Sequence, residues 1–380
     1  METVWVQDSI LQVTKAVASR AAGLLIRDPA VDPRCPDSSD LDFVVLADIA
    51  EMRSERLSLV TAGAGPVLAD LTWLPWAWVV NPEEAATRGW VPHRLLSSNV
   101  VWDEGREIAT LCDAIAQHMA RPEIQSRRVS VFLDTGFQAV REIGITWDFP
   151  ALGMFWLHMA YAACLATLAD GLHMLCPNIF TRPFDHLDRV ELNGHPGLRL
   201  RWIEALRLDD ELEPLVERLL RCHALMSSRF PEPCWPASIR EGVRFEYRYW
   251  VSHQELAWRI RTARELALRG DCAAAVFHLR FCAYAVARLP VVHARALEGI
   301  SGSFLRPEKA MLPDLKRLAP EIIDDLSLML AGPGALLASN VKISIDNLLE
   351  FRDNVCASLI AQGIPIAPLK TWAPYQVVMP

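Results

Sequence analysis

The pattern of hydrophobic positions changes period near residue 106. Before it, short apolar runs alternate with polar turns. After it, apolar residues recur at helical spacing almost to the end. Val6, Ile10, Val13 and Val17 are spaced four, three and four, which predicts a helix over residues 4–20. Ala22-Gly23-Leu24-Leu25-Ile26 predicts a short strand. The Pro- and Asp-rich loop RDPAVDPRCPDSS follows, and then a second strand over 41–47. Residues 50–58 are polar and helical in tendency. PVLADLTWLP, residues 66–75, predicts a third strand with Asp70 inside an apolar–acid–apolar centre. Trp78-Val79-Val80-Asn81 and Val100-Val101-Trp102-Asp103-Glu104-Gly105 are short segments closed by turns.

The remainder predicts helices, broken by Pro and Gly near 144–150, 194–197, 231–236, 331–334 and 363–368. FPEPCWP, residues 230–236, is the best linker, and the next helical run spans Val251–Leu268. The expected organisation is an α/β domain over 1–105, a helical domain over 106–230 and a second helical domain over 231–380. Two Ala-rich helical stretches, 160–187 and 281–312, both end in Phe-x-Arg-Pro (Phe180 to Pro183, Phe304 to Pro307), a weak echo of a repeated module. Residues 151–169 carry no formal charge and are long enough to span a bilayer. His158 inside the run, and the lack of a close Lys/Arg cluster beside it, favour a buried bundle helix.

Composition narrows the chemistry. The formal charge is −8, from 38 basic and 46 acidic residues, with no basic stripe to hold nucleic acid. Nine cysteines without a CxxC pair read as reduced thiols of a cytoplasmic protein. The ten histidines show no HxxxH or HExxH zinc spacing. METVWVQDSI has neither the basic nor the apolar region of a signal peptide, and no membrane partner is expected.

CPDSSDLDFVVLAD, residues 35–48, carries the sharpest signal. Asp40 and Asp42 enter a strand two residues apart and so point to one face. Carboxylates placed together raise each other's pKa unless a cation sits between them, and their oxygens suit Mg²⁺. The bland alternative is an Asx-type turn at a strand entry. Asp70, on a strand expected next door, completes a set of three acids.

SDLDF, followed some thirty residues later by an acid in an apolar strand, resembles the DNA polymerase β-type nucleotidyltransferase superfamily. The Val100–Gly105 segment resembles the stretch that closes this domain in its small-molecule members. The following helices, with the GLHMLCPN turn and LDDELEPLVERLL, resemble the kanamycin-type aminoglycoside nucleotidyltransferases. The likeness covers about residues 5–230; SDLD is its one sharp motif.

The resemblance implies an α/β (α+β) nucleotidyltransferase domain with a small mixed sheet, followed by helical bundles. It implies transfer of a nucleoside monophosphate, AMP for preference, from a triphosphate to a hydroxyl of a small molecule. An aminoglycoside-like antibiotic or a biosynthetic intermediate would be the acceptor, and pyrophosphate would leave. Asp40, Asp42 and Asp70 would hold Mg²⁺, two ions in the family's pattern, with Asp70 as third ligand or base. A separate base would fall near Asp134, with Glu142 and Asp148 as rivals.

One departure stands out. Where the family has Gly-Ser at the end of the first strand, this chain has Asp28-Pro29, preceded by Arg27. Pro29 has no N–H for a phosphate. Three outcomes stay open: Arg27 and Arg34 hold the phosphates, nucleotide binding is altered, or the chain is a degenerate relative acting as a binding or regulatory module. A toxin-like enzyme modifying protein or tRNA is a further alternative. Ser39, Lys309, Arg182 and Arg306 are additional phosphate candidates, though solvated helix starts explain the last three as well. His158, His173 and His278 are expected in the core or lining a pocket. The Trp73, Trp76 and Trp78 cluster would stack a base or simply pack. The extra helical half suggests a larger acceptor, a carrier partner or a dimer surface.

Overall fold

The computed structural model describes residues 4–27, 41–61, 66–145, 150–192, 195–300, 311–332 and 338–366. It is mostly helical, 67%, with a small mixed five-stranded sheet, as an α+β domain followed by a helical part requires. The residues group into two compact units. The first holds residues 1–129, 173–178 and 363–365, and the second holds the rest.

The first unit opens with α1 (Val4–Val17), then β1 (Gly23–Arg27), β2 (Leu41–Ala47), β3 (Arg53–Val60) and β4 (Pro66–Pro75). Helices α2 (Pro82–Thr87) and α3 (Trp90–Leu96), strand β5 (Ser98–Asp103) and helix α4 (Ile108–Met119) follow. The sheet order is β3-β4-β2-β1-β5, with β2 parallel to β4 and every other pairing antiparallel. Both faces are covered. Leu24, Ile26, Phe43, Val45, Ala69, Leu71 and Trp73 bury one face with Val13 and Val17 of α1. Leu25, Val44, Leu46 and Leu74 bury the other with Ala85, Ala86, Val91, Leu95, Ile108 and Ile115. Strand side chains alternate between faces, so these two sets fix where every other strand residue points.

Residues 50–58 correct the sequence expectation, because 53–60 form strand β3 rather than helix. Leu57 and Leu59, two apart, both join the core on the α1 side, and the whole segment pairs antiparallel with β4. The polar residues between them belong to an edge strand, where pairing overrides weak helical propensity. Helices α2 and α3 replace the open turn expected after Asn81. Asn81 caps α2 by accepting from the N–H groups of Glu83 and Glu84, with Pro82 at the first helical position. The Val100–Gly105 turn is tied by Asp103, whose carboxylate accepts from the N–H groups of Arg106 and Ile108, both at 2.8 Å. Gly105 there adopts φ +83°, which favours glycine.

Helix α5 (Pro122–Ile145) runs from the first unit's residues into the second's. The second unit continues with α6 (Pro150–Gly171), α7 (Phe184–Leu192), α8 (Leu198–Leu206), α9 (Leu212–Arg229) and α10 (Glu241–Val251). Helices α11 (His253–Leu268), α12 (Cys272–Leu297), α13 (Met311–Leu318), α14 (Ile323–Ala331) and α15 (Ala338–Ala361) complete it. Among the described residues two helices, α6 and α12, are long and apolar enough to cross a membrane, and 94% of the most apolar 18-residue stretch of each is buried. Burial in the bundle therefore accounts for the uncharged run at 151–169. Phe155 of α6 stacks on Tyr284 of α12 with ring centres 3.7 Å apart. These are the two Ala-rich stretches of the sequence echo; its second Phe-x-Arg-Pro lies outside the described residues.

Arg280 of α12 is fully buried and closes the end of α8. It donates to the carbonyls of Leu206 and Arg207, both at 2.6 Å, and to Asp210 at 2.7 Å. His158 and His278 are buried in the second unit, as expected. His173 is not: it is exposed with φ +55°, a left-handed residue two positions past the end of α6.

Candidate functional site

The sheet register places five residues in one row. Arg56 of β3 pairs with Asp70 of β4, which pairs with Asp42 of β2. Arg27 follows Ile26, the partner of Phe43, and so stands across from Asp42; on its other side it pairs with Ser98 of β5. All five share the face of Leu25, Val44 and Leu74, the face covered by α2–α4. Neighbouring strands lie about 4.8 Å apart, so the Asp42 and Asp70 carboxylates are close neighbours.

Each acid is held from its outer side. Arg56 grips both oxygens of Asp70 through Nε and Nη2, the latter at 2.6 Å. Arg27 Nη1 lies 3.4 Å from Asp42 Oδ2. Asp42 is the more open of the pair, with its side chain 49% exposed against 26% for Asp70.

Behind the row stands Arg94 of α3. It donates to Thr72 Oγ1 at 2.6 Å and Asn178 Oδ1 at 2.8 Å, and lies over the Trp90 ring. Arg27, Asp42, Thr72, Arg94, Ser98 and Asn178 line a common slot. Burial pushes the Arg94 pKa down, Asp42 and Asp70 oppose that, and the nearby Arg27 reinforces it.

The structure thus brings together Asp42, Asp70 and Arg27. Asp40, Ser39, Arg34 and Lys309 lie outside the described residues, as do Asp28, Pro29, Asp148 and Arg306. Asp134 is an exposed residue of α5, and Glu142 lies on the same helix, both within the second unit. Arg182 belongs to that unit too, where burial depresses the His278 pKa and Arg259 and then Arg182 add to it. Of the tryptophans, Trp73 is fully buried in the α1-side core with Arg20 and Arg53 stacked on it, so it packs and does not present a stacking face for a base.

Arg56, Thr72, Arg94 and Asn178 were not found from the sequence. Arg56 was hidden by reading its segment as helical. Asn178 does have a signal, since it ends the GLHMLCPN turn, whose residues 173–178 group with the first unit.

A divalent cation fits the donor chemistry of this row. Asp42 and Asp70 offer hard oxygen ligands on one face of adjacent strands, and carboxylates keep lone pairs beyond those an arginine uses. Among the described residues no group of three or more His, Cys, Asp or Glu side chains is gathered to hold a metal. Asp40, the third expected ligand, is not one of those residues. No protein-family model matches the chain, and no curated protein matches it significantly.

Proposed function

We propose that the first unit is a Mg²⁺-dependent nucleotidyltransferase domain that moves a nucleoside monophosphate, AMP for preference, from a triphosphate to a hydroxyl of a small molecule. The observation that carries this is the pairing of Asp42 with Asp70, in register on adjacent parallel strands. SDLDF and the Asp70 strand are also the two segments on which the sequence resemblance rests.

Asp42, Asp70 and the neighbouring Asp40 would hold the metal, which when bound would neutralise the triphosphate and stabilise departing pyrophosphate. Arg27 balances the charge of Asp42 and borders the slot. Asp70 is a ligand in this reading; Asp134 keeps only the base role that the resemblance implies.

A second reading has its own support. Arg56 occupies both oxygens of Asp70. A guanidinium there supplies positive charge that a metal would otherwise bring, as a non-catalytic nucleotide-binding or regulatory relative would have.

Calorimetry with all four nucleoside triphosphates, with and without Mg²⁺, separates the two. Metal-dependent binding of a nucleotide, lost in Asp42→Asn/Asp70→Asn, supports the transferase, and pyrophosphate release then screens acceptors. Nucleotide binding indifferent to metal supports the binding module. A well-folded wild type that binds no nucleotide rules out both.

A further inference from the structure

Arg94 of α3 is a partly buried cation whose printed partners are neutral. Its guanidinium is largely withdrawn from solvent, yet both of its hydrogen-bond acceptors, Thr72 Oγ1 and Asn178 Oδ1, are neutral. Among the described residues no carboxylate lies within ion-pair distance of it. Asp70 is committed to Arg56, and Asp42 is paired with Arg27. The described groups facing the slot and its edge are therefore three guanidiniums against two carboxylates. A buried cation without a counter-ion is costly unless something supplies one. Thr72, Asn178 and the Trp90 ring fix the Arg94 side chain in place. The cost of ordering it is therefore already met before a ligand arrives.

We propose that Arg94, together with Arg27, forms a metal-independent subsite for a phosphate oxyanion, placed on the sheet face rather than on a glycine-rich backbone. This rests on the nucleotide reading of the sheet row and deepens it: it answers how a chain with Asp28-Pro29 in place of Gly-Ser takes a polyphosphate. Among the described residues, both arginines keep guanidinium N–H groups without an acceptor, and these match phosphate oxygens in charge and fork geometry. The slot itself is about 10 Å³, no more than one water needs, so the oxyanion sits at its mouth, where Arg27 and Asp42 reach solvent.

The test uses inorganic tripolyphosphate in the presence of EDTA on the full chain, read by calorimetry and by ligand-dependent Tm. The wild type should bind, and its Tm should climb with ligand concentration. Arg94→Met gives up two hydrogen bonds to neutral partners and should melt only modestly lower than wild type without ligand, so its affinity is read on folded protein. It should lose affinity by about tenfold or more, with Arg94→Lys in between. Asp42→Asn should bind tripolyphosphate as well as wild type, or better. Equal affinity in wild type and Arg94→Met overturns the proposal, as does a folded wild type that ignores tripolyphosphate. Binding of Mg²⁺-nucleotide that needs Asp42 and is indifferent to Arg94 leaves the transferase reading standing and removes the subsite. Tripolyphosphate binding that needs Arg94, in a protein that binds no Mg²⁺-nucleotide, does the reverse.

Discussion

Asp42 and Asp70 stand opposite each other on adjacent parallel strands, and each is held on its outer side by an arginine, Arg27 or Arg56. The arrangement is asymmetric. Arg56 engages both oxygens of Asp70, whereas Arg27 approaches Asp42 at 3.4 Å and leaves it half open. A cation entering this face meets Asp42 first and competes with Arg56 for Asp70.

Arg56 should therefore set the metal affinity. Arg56→Gln is expected to bind Mn²⁺ more tightly than wild type, read by paramagnetic resonance of the free ion. It should also unfold more easily by about 1–3 kcal/mol in urea, because Asp70 is only partly exposed and loses a charged partner. Unchanged Mn²⁺ affinity would mean that the pair does not compete with metal.

The two acids should separate in a stability assay. The Arg27–Asp42 pair is half exposed, so Asp42→Asn is expected to change stability by less than about 1 kcal/mol. Asp70→Asn removes a two-point ion pair with Arg56 in a less exposed place and should cost more. Both should abolish metal-dependent nucleotide binding. Equal destabilisation by the two in urea unfolding would contradict the asymmetry.

In the helical unit, Arg280 joins three acceptors at the end of α8 while fully buried. Arg280→Ala strands the Leu206 and Arg207 carbonyls and the Asp210 carboxylate. A loss of about 3–5 kcal/mol in urea unfolding is expected. A loss below 1 kcal/mol would show that water replaces the guanidinium freely.

Acid should weaken the helical unit in a defined window. His223 is buried with its Nε2 at 3.1 Å from the Trp250 carbonyl. Burial, with His253 beside it, pushes its pKa down to about 4 from an ordinary 6.5. Burial pushes His278 down to about 3. Between those values and 6.5 the unfolded chain binds protons that the folded chain refuses. Stability is full above pH 6.5 and falls as pH drops towards 4. Tm measured across this range should decline, and the decline should be shallower in His223→Gln, which keeps a donor for Trp250. A flat profile would refute the assignment.

Strands β1, β2 and β4 were legible because their apolar runs are short and bounded by turn residues. Asp42 was legible at a strand entry and Asp70 inside an apolar strand; that these strands are neighbours was an expectation, and the register bears it out. Strand β3 was not legible, since only Leu57 and Leu59 alternate and the rest of the segment is polar. Its state was settled by pairing with β4, from Val60 opposite Pro66 to Arg53 opposite Trp73. The cationic half of the site was hidden for the same reason. Arg56 meets a partner 14 residues away and Arg94 one 84 residues away. Sequence alone determined much of which residues are inside and which turn, because those follow from period and side-chain chemistry. Tertiary structure decided which charges compensate Asp42 and Asp70, because an arginine's partner depends on which strands and turns end up side by side.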